Sequence, residues 1–220
     1  MGSITRSFAN NITTSGVLLP ASLTNNSIAN VTAYNASVAT GGMVLISSQT
    51  ASNSASISFT TGIDSTYKEY QFYFIDIHPR TDSVEFQFNL STDSGSNYNV
   101  TKTTTNFYAY HQESGANTFF DYDAGRDLAQ STSFQELIRQ VGNGADESCS
   151  GTLQLFNPAS TTYVKHFIAN TNGYLASGAN DFSVNGYVAG YGNTTSAINA
   201  VQFKMSSGNM DGTILMYGIV

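Results

Sequence analysis

Residues 67–90, YKEYQFYFIDIHPRTDSVEFQFNL, alternate in a way that extended chain satisfies. In the second half Val84, Phe86, Phe88 and Leu90 share one face, and Glu85, Gln87 and Asn89 share the other. That period of two marks a strand buried on one side. In the first half both faces are apolar: Tyr70, Phe72 and Phe74 alternate with Tyr73, Ile75 and Ile77. Such a pattern predicts a central strand covered on both sides. Between the halves lies HPRTDS, where Pro79 has no N–H for a ladder and the polar residues suit a turn. The expectation is a long antiparallel hairpin at the heart of an all-β domain, with Phe72, Phe74, Phe86 and Phe88 in its core.

The rest of the chain from Met43 onward supports that class. Residues 43–47 and 54–60 read as short strands, with a turn at Gly62-Ile63-Asp64-Ser65. Ser91 to Asn97 is rich in residues that tolerate left-handed geometry and reads as a turn. Residues 100–110, 151–156, 162–169, 185–191, 198–205 and 213–219 read as further strands, whereas 111–132 lack a core pattern and predict a long excursion. FQELIRQV (134–141) fits two periods. Helical spacing groups Phe134, Leu137, Ile138 and Val141, but the surrounding strands favour a strand. A tally of about ten strands with polar turns predicts an antiparallel β-sandwich, jelly-roll-like, over residues 43–220. The Trp and paired cysteines of an immunoglobulin-type sandwich are missing.

Residues 1–42 differ. Phe8, Leu18, Leu19, Ile28, Val31 and Tyr34 stand isolated in a Ser, Thr and Asn background, with neither helical nor strand period sustained. Such a segment cannot bury enough to fold alone. It is either a disordered leader or an extended arm ordered against a partner, and the spaced anchors favour an attachment and oligomerisation arm hinged at Gly41-Gly42. Each anchor fully buried against a partner gains roughly 1.5–3 kcal/mol.

Composition removes several function classes. Charged residues are only 10% of the chain, far under the roughly 25% usual in globular proteins. The net charge is −7, and the cations are scattered singly from Arg6 to Lys204. Without a basic patch, nucleic-acid binding is not expected. Cys149 is the only cysteine, so neither a disulfide nor a cysteine-based zinc site forms within one chain, and a buried structural role is expected. No apolar run reaches the ~18 residues of a membrane span. No apolar stretch follows Arg6, so a cleaved secretory signal is not expected.

Candidate chemistry is sparse. His78, His111 and His166 are far apart, and no nucleophile motif or paired acid stands out among the 15 carboxylates. No enzymatic activity and no cofactor are expected. Asp121, Asp123 and Asp127 offer carboxylates in one loop, without EF-hand spacing, and read as a solvated acidic loop rather than a calcium site. The most suggestive group is aromatic: Tyr108, Tyr110, His111, Phe119, Phe120 and Tyr122, with Asn117 and Asp121 among them. Aromatic faces beside amides and carboxylates stack on sugars and bond their hydroxyls. The same residues also suit closing one end of the sandwich or packing on a neighbouring subunit.

Three stretches carry a resemblance. They are SSQTASNSASISFTTGIDSTYKEYQFYFIDIHPRTDSVEFQFNLSTDSGSNY (47–98), VGNGADESCSGTLQLFNPASTTYVKHF (141–167) and NTTSAINAVQFKMSSGNMDGTILMYGIV (193–220). Together they resemble virion structural proteins of tailed phages, especially marine phages of cyanobacteria and related bacteria. The resemblance implies a non-enzymatic virion protein assembled in the host cytoplasm, a fibre or appendage component that engages the host surface and its glycans. A capsid decoration protein that stabilises the head is the alternative within the same class. It further implies a homotrimer docked on other virion proteins through residues 1–42. The shared motifs are structural, so no catalytic residue is carried over. A carbohydrate-binding or carbohydrate-active domain is the reading from another class.

Overall fold

The computed structural model describes residues 42–177 and 180–220. In chain order the described strands are β1 (Met43–Ser54), β2 (Ile57–Phe59), β3 (Glu69–Pro79) and β4 (Val84–Ser91). They continue with β5 (Lys102–Gln112), β6 (Thr118–Tyr122), β7 (Gln135–Val141) and β8 (Cys149–Phe156). The last four are β9 (Lys165–Ser177), β10 (Asn180–Gly192), β11 (Ala200–Met205) and β12 (Met210–Ile219). Eight of them form one sheet in the order β1-β12-β3-β8-β9-β10-β5-β6, and β2-β11-β4-β7 form the other. All ladders between them are antiparallel, and no helix occurs among the described residues. The fold is the expected antiparallel β-sandwich.

The expected hairpin is not there. β3 lies between β12 and β8 in the large sheet, while β4 lies between β11 and β7 in the small one. The polar link, with Ser83 at φ 55°, carries the chain from one layer to the other. Burial explains the choice. Paired side by side, the rows Phe72-Phe74 and Phe86-Phe88 would share one sheet face and depend on other strands of the opposite sheet for cover. Set in opposite sheets, they bury each other, as Phe74 and Phe86 do edge to face at 5.1 Å. The expectation that β3 is covered on both sides also fails, because Ile75 on its outer face is 42% exposed. Asp76 sits at φ 50° in a bulge, and this shift returns Ile77 to the buried side.

Phe203 of β11 is the hub of the core. Its ring lies 5.1 Å from Phe74, 5.3 Å from Phe72, 5.9 Å from Phe86, and 6.3 Å from both Phe59 and Phe88. Phe88 in turn meets Phe167 of β9 at 5.0 Å. The four phenylalanines expected in the core are all buried. So is Cys149, whose thiol burial pushes well above the ordinary range.

Other boundaries move. β1 runs unbroken to Ser54 where the sequence suggests an interruption, and residues 134–141 do form a strand, β7. The excursion over 111–132 contains β6, which pairs with the edge of β5. Every residue of β6 is exposed, so no burial pattern marks it in the sequence. The arm anchors Phe8, Leu18, Leu19, Ile28, Val31 and Tyr34 lie outside the described residues.

Candidate functional site

The register of β5 decides where the aromatic group goes. Lys102, Thr104 and Asn106 are buried on its inner face, so alternation sends Tyr108 and Tyr110 inward and Phe107, Ala109 and His111 outward. β6 pairs Phe119 with Tyr110, Phe120 with Ala109 and Tyr122 with Phe107. Partners across a ladder point the same way. The six residues singled out from the sequence therefore split. Tyr108, Tyr110 and Phe119 gather on the inner side, while His111, Phe120 and Tyr122 lie on the outer side.

The inner group forms a platform. Tyr110 stacks on Phe119 at 5.4 Å and 17°, and Tyr108 lies 6.2 Å from Tyr110 and 5.6 Å from Phe119. Phe182 of β10 meets Tyr110 edge-on at 5.2 Å. The Arg139 guanidinium sits 4.5 Å above the Tyr108 ring, a cation–π contact that orders both side chains. Tyr108, Tyr110, Arg139 and Phe182, with Gln140, Leu175 and Val184, line an open cleft of about 270 Å³, and Phe119 backs Tyr110. That is close to the lower end of small-ligand pockets, roughly 300–1,000 Å³.

Beside the cleft lies a knot of charge. Arg126 reaches Glu136 at 2.7 Å, Asp123 at 3.3 Å and Glu85 at 3.7 Å. Arg126 Nε and Glu136 Oε2 are off line for a hydrogen bond and so pair as charges. Arg139 also reaches Asp123, at 3.4 Å. Burial pushes the Glu136 carboxyl above its ordinary range, and the charge of Arg126 opposes that shift. Arg139 thus spans from Asp123 of the knot to the Tyr108 ring at the cleft.

The acidic loop does not act as a unit. Asp121 accepts from the Tyr122 backbone N–H at 2.8 Å, Asp127 accepts from the Tyr122 hydroxyl at 2.5 Å, and Asp123 faces the two arginines. Among the described residues no three His, Cys, Asp or Glu side chains are gathered to hold a metal. The histidines also stay apart. His78 Nδ1 is 2.6 Å from the Glu147 carbonyl, His166 packs on Tyr191 at 6.0 Å, and His111 pairs with Thr118 at the edge of the large sheet.

Sequence reading missed Arg139, Gln140, Leu175, Phe182 and Val184. Phe182 and Val184 alternate within DFSVNGYV, a visible strand signal, but pairing with β5 has no local mark. Arg139 reaches the cleft because β7 joins the opposite sheet, through a ladder shifted between Val84 and Phe86, where Arg139 and Gln140 stand. Compared with known proteins, the chain matches no family model, no curated protein and no solved structure.

Proposed function

We propose that this chain is a non-enzymatic virion structural protein of a tailed phage, a fibre or appendage component that engages a host-surface glycan through the cleft lined by Tyr108 and Tyr110 and backed by Phe119. The virion assignment is supported by the resemblance carried by residues 47–98, 141–167 and 193–220. The observation that carries the glycan reading is the open aromatic platform with a fixed guanidinium at its side. A pyranose ring lays its C–H face on stacked aromatics, and its hydroxyls meet Arg139, Gln140 and the tyrosine O–H groups. Arg139 already faces Asp123, so a neutral sugar suits the cleft better than a uronate.

The test is titration of the purified protein with neutral oligosaccharides from host envelopes, followed by calorimetry or saturation-transfer NMR. Tyr108→Ala and Phe119→Ala should each weaken binding by about tenfold or more, since a stacking aromatic is worth about 1–3 kcal/mol. Binding that survives both substitutions, or no binding to any envelope sugar, overturns the glycan reading.

A second reading, capsid decoration, is favoured by the broad uncharged outer face of the large sheet. Labelling of intact particles decides between them: signal on the tail or fibres supports the first, and signal over the whole head supports the second. The arm and the trimer rest on the resemblance. Deleting residues 1–40 should abolish incorporation into particles; normal incorporation would make that segment a leader.

A further inference from the structure

The outer face of the eight-stranded sheet is apolar at two places and charged almost nowhere. Across β1, β12 and β3, Met43, Tyr73, Ile75, Leu215 and Tyr217 line a shallow groove of about 300 Å³. Across β8, β9 and β10, Phe156, His166, Ile168, Ala189 and Tyr191 line another of about 480 Å³. The second patch continues into Phe107 and Tyr187, stacked at 5.1 Å, and on to Phe120. Leu45 and Ile168 are each about half exposed, at 51% and 50%. The register places Gln71, Thr152, Gln154 and Asn170 between the two patches, so amides and hydroxyls fill the gap.

Charged side chains are kept from the middle of that face. Lys102 and Lys165 are fully buried on the inner side, and Asp121 shares the inner side with its partner Tyr108. Glu69 and Asp181 do lie on the outer side, but only at the starts of β3 and β10, where Glu69 accepts from Gln154 at 3.2 Å. Asp76 and Asp211 sit at bulges. No Lys or Arg side chain points outward from the middle of the sheet among the described residues.

We infer that another copy of this chain covers this face, with the large sheets of neighbouring subunits turned towards one another. Charge selects the occupant. A partner of different composition is normally chosen by opposite charge, and the middle of this face has none to offer. Two copies of a chain with net charge −7 repel over most of their surfaces. A face whose few charges stand at its ends is the one they can bury against its own like while setting the fewest equal charges in contact. Size agrees. Eight strands at about 4.8 Å spacing and about six residues at 3.3 Å cover roughly 700–800 Å², close to the ~800 Å² per partner of a standard interface. The flat aromatics supply the anchors that such contacts use.

The test uses the full chain in sedimentation velocity at micromolar concentration, with folding monitored by melting temperature. Wild type should sediment as an oligomer. Ile168→Glu and Leu45→Glu put like charges at the two patches through side chains already half in solvent, so the fold should survive. Each should weaken association by about tenfold or more. Tyr163→Glu, in the β8–β9 connection and 69% exposed, should associate as wild type does. A monomeric wild type, which would leave the face to a sugar or to another protein, overturns the inference. Wild-type association of folded Ile168→Glu and Leu45→Glu variants, which would place the contact elsewhere, also overturns it.

Discussion

Phe74 with Phe86 and Tyr110 with Phe119 are aromatic pairs at almost the same spacing, 5.1 and 5.4 Å. The first pair is sealed, and the second stands at an open cleft. The rings are alike, and the roof differs. Over β3, β8 and β9 the small sheet lays β11 and β4, and the core there is hydrocarbon. Past β7 no strand of the small sheet remains, yet β5 and β6 continue. An eight-stranded layer under a four-stranded one must leave sheet uncovered, and here the uncovered part carries the aromatics. Ring geometry alone therefore does not separate core from open surface; coverage does.

That contrast predicts a gradient of cost. Phe203→Ala, under the centre of the roof, removes the ring that five other phenylalanines touch. It should cost about 3–5 kcal/mol in denaturant unfolding, and a loss under about 1 kcal/mol would mean the roofed region repacks freely. Arg126→Met, at the edge of the roof, leaves Glu136, Asp123 and Glu85 facing one another. The cost there should be about 1–3 kcal/mol at neutral pH and should shrink on acidification as Glu136, whose pKa burial already raises, protonates. An equal cost at all pH values would show that packing, not charge, is what Arg126 supplies.

Lys102 tests the roof through pH. Its Nζ donates to Asn89 Oδ1 at 2.5 Å and to the Val100 carbonyl at 2.8 Å, both neutral. Burial brings its pKa down from 10.5 to about 7. Below about 7 the amine is charged in both folded and unfolded chains, and the full cost of burying charge is present. Between about 7 and 10.5 the unfolded chain holds more protons, so stability rises with pH, by at most about 1.4 kcal/mol per unit. Lys102→Met should flatten that rise in urea melts taken across the window. The smallest effect belongs to the uncovered end: Tyr110→Ala should change stability by about 1 kcal/mol or less while reducing sugar binding.

The sequence shows the roofed region far better than the cleft. Strict alternation at Val84 to Leu90 and at Tyr70 to Phe74 named the core rings, because a two-residue period is a local property. It does not say which strand lies alongside. The break at Pro79 to Ser83 reads equally as a hairpin turn or as a step between layers, and the choice depended on Phe203, more than a hundred residues later in the sequence. The cleft suffers most from this. Tyr108, Tyr110 and Phe119 are visible as aromatics, but their separation from His111, Phe120 and Tyr122 follows from the β5–β6 register. Arg139 arrives from a strand of the other sheet. Lys102 and Lys165 read as ordinary surface cations until the folded chain shows carbonyl and amide acceptors around them.

β12 lies between β1 and β3, and this has a consequence for synthesis. β1 has β12 as its ladder partner in the large sheet, and one side of β3 depends on the same strand. Residues 43–54 and 69–79 leave the ribosome long before residues 210–219 exist. Until then one apolar strand waits without its partner, and another waits half paired. Closing so distant a contact is slow, and exposed strand edges invite wrong pairing in the interval. The large sheet therefore cannot close until residues 210–219 have been made.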